Sequence, residues 1–239
     1  MTDLIMKIAP NLWAYRARFS QSVRETLLLF IIPGVISFFL GMLLGVILTI
    51  TKKGGIKENR VVFRILDAFV NVFRAIPFVI LLIFLIPFTR MVMKTAIGVK
   101  GAVIPLVFGT VPFYSRQVET ALANVSEGKI EAARSMGTGT VGLIFRVYLH
   151  EAVPELARVT TITAISLVGL TTMAGAVGAG GIGSFAINYG QGQHYQDIVN
   201  VCVIVLLIGV CIIQAIGSFV AKKTTNRSLI QKLHKDERN

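Results

Sequence analysis

Long uncharged, apolar runs separated by polar stretches set the pattern of this chain. Thr26–Thr51, Val159–Ile187 and Ile198–Ala221 hold no charged residue, and Ala68–Thr89 is interrupted by Arg74 alone. Gly101–Ser115 is also uncharged, and Gln117–Val125 can carry the same helix out of the apolar layer. A helix needs about 20 largely apolar residues to cross a hydrocarbon core of roughly 30 Å. The pattern therefore predicts an all-α, polytopic membrane protein. It has five transmembrane helices, at about residues 26–51, 68–89, 101–125, 159–187 and 198–221, in a single transmembrane domain over residues 1–239.

Composition agrees with that pattern. Hydrophobic residues make up 54% of the chain and charged ones 15%, too little charge to cover a soluble domain of this length. The net charge of +12 raises the question of nucleic acid. The basic residues flank apolar runs instead of lining one face among stacking aromatics, which argues against nucleic acid and for charge that sets topology. Lys52, Lys53, Lys57, Arg60 and Arg64 follow the first run, and Arg116, Lys129, Arg134, Arg146 and Arg158 lie between the third and fourth. Lys222, Lys223, Arg227, Lys232, Lys235 and Arg238 follow the fifth. They outnumber Lys7, Arg16, Arg18, Arg24, Arg90, Lys94 and Lys100 on the other side. The positive-inside rule then places the N-terminus outside, and the C-terminus and the loop at about 126–154 in the cytoplasm. The N-terminal segment does not read as a cleavable signal peptide. Part of it is expected as an interfacial amphipathic helix with Trp13 and Tyr15 at headgroup depth.

Candidate chemistry is sparse. Cys202 and Cys211 share one apolar run at a spacing that suits neither zinc nor a redox pair, and His150 and His194 are isolated. Glu119 and Glu151 form no acid pair, and no G-x-S-x-G, H-E-x-x-H or P-loop occurs. No catalytic residues and no metal site are expected. Gly178 to Gly183 satisfies G-x-G-x-x-G but ends a long uncharged run, whereas a dinucleotide site needs a βαβ unit. Gly178, Gly180, Gly181 and Gly183 read instead as a helix break with close backbone packing, and Gly41 and Gly45 as a second close contact. Arg74 either lines a polar path or contacts a substrate carboxylate, or else it snorkels to the boundary or pairs with Asp67. Ser166, Thr171, Thr172 and Met173 precede the glycines and offer hydrogen bonding without charge, as a path lining or as ordinary interhelical packing.

One polar stretch stands out. Glu131-Ala132-Ala133 is followed, after three residues, by Gly137, with Gly139 close behind. Glu131 is expected near the start of a short helix, where the macrodipole favours an acid. The two alanines allow close approach, and the glycines permit a turn. On residue types alone this is equally the surface helix of an ordinary loop.

Order and spacing favour a more specific reading. The stretch resembles the EAA loop of bacterial ABC-importer permeases. Arg74-Ala75-Ile76-Pro77-Phe78, Ile86-Pro87-Phe88-Thr89-Arg90 and Gly175 to Gly183 look like segments of the methionine-uptake permeases, so the resemblance covers roughly residues 70–190. It departs at His150, where the usual proline is missing and Pro154 follows four residues later. The resemblance implies a type I ABC-importer permease fold in a bacterial inner or plasma membrane. It makes Glu131, Ala132, Ala133 and Gly137 a coupling helix for an ABC ATPase dimer that binds ATP and Mg. It also implies a permease homodimer, a substrate-binding (lipo)protein outside, an amino-acid cargo such as methionine, and Met173 as a gate. The permease of a related importer for another small solute, and an ion-coupled carrier working alone, are the alternatives.

Overall fold

The computed structural model describes residues 10–236, and among them every regular element is helical. Lys7 and the side chains of Arg227, Lys232, Lys235 and Arg238 lie outside the described part. A short helix, α1 (Pro10–Ala14), leads into α2 (Arg16–Thr51), and the Arg16 guanidinium lies 5.0 Å from the centre of the Trp13 ring. In the loop after α2, Glu58 accepts the Gly54 N–H at 3.1 Å and the Arg60 Nε–H at 2.9 Å. Those bonds hold its carboxyl below the usual range.

Residues 68–89, expected as one span, are broken twice. The helix α3 (Arg60–Ala75) stops before Pro77, and α4 (Phe78–Phe84) leaves it at 106°. Pro77 has no N–H to continue the ladder and pushes the residue before it out of helical backbone. A second proline, Pro87, sits in the first turn of α5 (Ile86–Met93), where a missing N–H is harmless. The long α6 (Gly98–Ala123) and the short α7 (Glu127–Ser135) follow. The chain is then helical in pieces through Thr140–Gly142, the wider turns of Leu143–Tyr148, and Leu149–Glu151. His150, the position of the missing proline, is helical and exposed. The remaining helices are α8 (Val153–Ala174), α9 (Gly181–Phe185) and α10 (Gln196–Asp236).

Three of these, α2, α8 with the turns after it, and α10 as far as Thr225, are long and apolar enough to cross a membrane. The bent pair α3–α4 would make a fourth. The threonine hydroxyls on these helices bond carbonyls about one turn back, whereas the buried Ser37 hydroxyl on α2 has no partner among the described residues. Thr49 bonds the Gly45 carbonyl at 2.9 Å and Thr163 that of Val159 at 2.8 Å, so they need no partner from the surroundings.

The chain forms two compact units. The first gathers the residues up to Ser37, Phe73–Thr110 and Ala164–Ile212. One of its clusters is built on Leu29, Leu106, Leu167 and Ala174, another on Ile182, Phe185, Ile198 and Cys202. Tyr15 joins the second cluster, 4.9 Å from Tyr189 between ring centres, and its hydroxyl bonds Gln193 at 3.0 Å. The second unit gathers Phe38–Val72, Val111–Thr163 and the chain from Ile213 on, around Tyr114, Val118, Leu122, Leu156 and Val159. Here α2 and α6 pack almost backbone to backbone. A Cβ on Gly41 would lie 2.7 Å from the Tyr114 ring, and one on Gly45 2.6 Å from Val118.

Candidate functional site

The polar stretch around Glu131 forms α7 and the turn that closes it. The acid in its first turn is Glu127, whereas Glu131 sits mid-helix and exposed, so the macrodipole reading belongs to Glu127. The stretch also divides by face. Ala133 is 7% exposed and Ile130 packs on the second unit's core, while Glu131 and Ala132 point outward. Gly137 closes the helix at φ 77°. Its N–H bonds the Arg134 carbonyl at 2.9 Å, and that of Thr138 bonds the Ala133 carbonyl at 3.1 Å, the pairing of a Schellman cap. Met136 at the cap, and Val141 and Phe145 beyond it, stand out at 78%, 69% and 65% exposure. With Gly137, Gly139 and Arg146 they line an open groove of about 530 Å³. Lys129 pairs with Glu151 and ties the base of α7 to the segment before α8.

The glycine segment breaks the chain after α8. Gly178, Gly180 and Gly181 sit at φ 96°, 86° and 77°, backbone that favours glycine. The chain then folds back so tightly that a Cβ on Gly183 would lie 2.3 Å from the Thr172 carbonyl oxygen, and one on Gly175 2.7 Å from the Ser184 nitrogen. Two side chains of α2, which the sequence did not single out, hold this turn. Glu25 Oε2 accepts the Gly181 N–H at 2.8 Å, and Thr26 Oγ1 accepts that of Ile182 at 2.8 Å. Gln21 donates to the other Glu25 oxygen at 2.8 Å. A lone carboxylate at the edge of an uncharged run, in a chain with a Gly-Gly that frees backbone donors, was the available signal.

The four path candidates separate. Ser166 and Met173 are exposed on one face of α8, together with Ile162 and Gly169. Thr172 is half-buried and bonds the Val168 carbonyl at 3.0 Å. Thr171 is 2% exposed and its hydroxyl is spent on the same carbonyl, so it does not face open space.

Arg74 is exposed and has no ion-pair partner among the described residues. Its expected partner Asp67 is taken by Arg116 at 2.5 Å, which also reaches Glu119 at 2.6 Å and Asn71 at 3.0 Å. No group of His, Cys, Asp and Glu able to hold a metal occurs among the described residues.

Residues 37–225 match the model of a family described as the binding-protein-dependent transport system inner membrane component. The chain belongs to this family. It is 42% identical over 203 residues to the Probable D-methionine transport system permease protein MetI of Vibrio cholerae, over 85% of this chain and 90% of that one. The Methionine import system permease protein MetP of Bacillus subtilis is 43% identical over 174 residues, 73% of this chain and 78% of the relative. Among solved structures, the MetNI methionine ABC transporter in an inward facing conformation superposes with a TM-score of 0.86 at 39% identity, covering 88% of this chain and 98% of that chain. A family member's fold, that of a type I ABC-importer permease, thus accounts for the helix order.

Proposed function

We propose that this chain is the permease subunit of an ATP-driven methionine importer, and that α7 with its glycine cap is the handle by which an ATPase drives it. The observation that carries this reading is the exposed surface of Glu131, Ala132 and the Met136–Val141–Phe145 knobs beside an open groove. The knobs are apolar side chains on a loop among basic residues, and nothing among the described residues covers them. The relatives named for methionine supply the cargo. One chain offers one handle, so two copies working with a pair of ATPase subunits form the complete importer, with a binding protein delivering solute from outside.

ATP and Mg belong to the ATPase. Closure of that pair on ATP draws the two handles together, and the helical segment from Thr140 passes the motion to α8. Ser166 and Met173, on one exposed face of α8, line the path, and Met173 is a soft, flexible plug suited to a gate. The glycine turn and its Glu25–Thr26 clamp fix the end of that helix. Swinging a two-state path from 1:99 to 99:1 needs about 5.5 kcal/mol of differential affinity. Nucleotide can supply that; a weakly held solute cannot.

Uptake of labelled methionine, with and without the chain, tests the cargo, and copurification from native membranes tests the partner. Glu131→Arg is expected to leave the chain folded in the membrane while uptake and ATPase copurification are lost together. Retained uptake in that variant would remove the handle from the mechanism. Unchanged methionine uptake beside lost uptake of another solute would overturn the cargo.

A further inference from the structure

Inside the second unit, α8 and α10 cross so closely that a Cβ on Gly217 would lie 1.9 Å from the Thr161 hydroxyl oxygen. An open groove of about 420 Å³ lies at this crossing, with Arg158 and Thr161 on one wall and Gln214, Ser218, Lys222 and Thr225 on the other. The four α10 residues recur every three or four positions and so form one polar stripe. Between Val201 and Ala221 the other residues of that helix are apolar or glycine, and Ile216 and Phe219 stand open at 60% and 67% exposure.

Depth gives the stripe its meaning. The uncharged run of α10 begins at Ile198, and about 20 residues of helix span the hydrocarbon, which brings its edge near Gly217. Gln214 then lies at the depth of lipid esters, and Ser218 and Lys222 at that of headgroups. Arg158, the last charge before the uncharged run from Val159, reaches the same level from α8. Neither Gln214 nor Ser218 has a hydrogen-bond partner among the described residues, although a polar group turned toward lipid is costly without one. Glu155 bonds Arg158 at 3.0 Å, which leaves Lys222 with the groove's excess positive charge.

We propose that this groove binds the headgroup of an anionic phospholipid. Lys222 and Arg158 face the phosphate, Ser218 donates to a phosphate oxygen, and Gln214 donates to an ester carbonyl. Ile162 and Ile216 carry the acyl chain. Basic pockets between spanning helices on the positive side of a membrane take such headgroups. The site goes beyond the transport reading and does not depend on the cargo.

Native mass spectrometry of the purified full chain, titrated with phosphatidylglycerol, phosphatidylcholine or inorganic phosphate, tests it. Phosphatidylglycerol is expected to bind more tightly than phosphatidylcholine, with no comparable retention of phosphate alone. Lys222→Gln and Arg158→Gln should each weaken phosphatidylglycerol roughly fivefold. Glu155→Gln should tighten it, a gain that a misfolded variant would not give, and Lys53→Gln, an exposed cation outside the groove, should change nothing. Equal binding of the two lipids, or retention of phosphate as strong as that of lipid, would overturn the proposal. So would a disulfide-linked dimer formed by Ser218→Cys in a Cys202→Ala, Cys211→Ala background, because a second copy would then cover the groove.

Discussion

Single residues in this protein act through how little room they leave. Gly45 meets Val118 and the Ser115 carbonyl so closely that even a methyl must displace helix from helix. Overpacking of this kind costs about 1–3 kcal/mol, so Gly45→Ala is expected to lower the melting temperature of the purified protein clearly. Gly209→Ala, with nothing within 4 Å, should hold within about 0.5 kcal/mol of the parent. Equal melting of the two variants would remove the close α2–α6 contact. Glu25 works by hydrogen bonding instead. Glu25→Ala strands the Gly181 N–H, a loss of about 1–3 kcal/mol, while Glu25→Gln keeps an acceptor oxygen and should fall between Ala and the parent. The two kinds of residue differ in how legible they are. Gly41 and Gly45 could be read from the sequence because close helix packing asks for small residues four apart. Glu25 could not, because its partner lies 156 residues away and only the fold brings them together.

Elements show the same division. Hydropathy measures length, so α2, α8 and α10 were legible, but it does not measure direction. Ala68–Thr89 is apolar enough to span, yet the chain turns by 106° at Pro77 within it. The proline was visible; the angle depends on what α4 packs against, such as Phe78 against Gly109. The handle was legible as a short polar helix, and its register was not. The N-terminus lies four residues earlier than Glu131 implied, and Ala133 turned inward because the second unit's core takes that face. The turn between α8 and α9 can be tested as an element. Gly178 has the left-handed backbone but open space, so Gly178→Ala should cost about 1–2 kcal/mol. Gly180 has the same backbone hand and would also set a Cβ 2.6 Å from the Glu25 carboxylate. Gly180→Ala should therefore melt lower than Gly178→Ala and lose more methionine uptake. The reverse order would mean that Glu25 does not hold this turn.

At the scale of the whole molecule, α6 decides which way each helix runs through the membrane. Its second half carries Arg116 and Glu119, so it is less apolar than α2 or α10. Those charges do not forbid a crossing. Arg116 is held between Asp67 and Glu119 and is bonded to Asn71, and ion pairs with satisfied hydrogen bonds are the form in which charge enters a membrane protein. If α6 crosses, the chain has five spans and its termini lie on opposite sides, with the handle and the heavier positive charge together inside. If α6 turns back, the handle falls on the same side as the loop at Ile97, which the charge bias puts outside, where an ATPase inside the cell could not reach it. Ile97 and Ser126 flank the two ends of α6 and are both exposed. In a Cys202→Ala, Cys211→Ala background, Ile97→Cys should react with a membrane-impermeant maleimide in intact cells. Ser126→Cys should react only after the membrane is opened. Reaction of both in intact cells, or of neither, would reduce the span count to four and put the proposed orientation of α7 in conflict with its role as a handle.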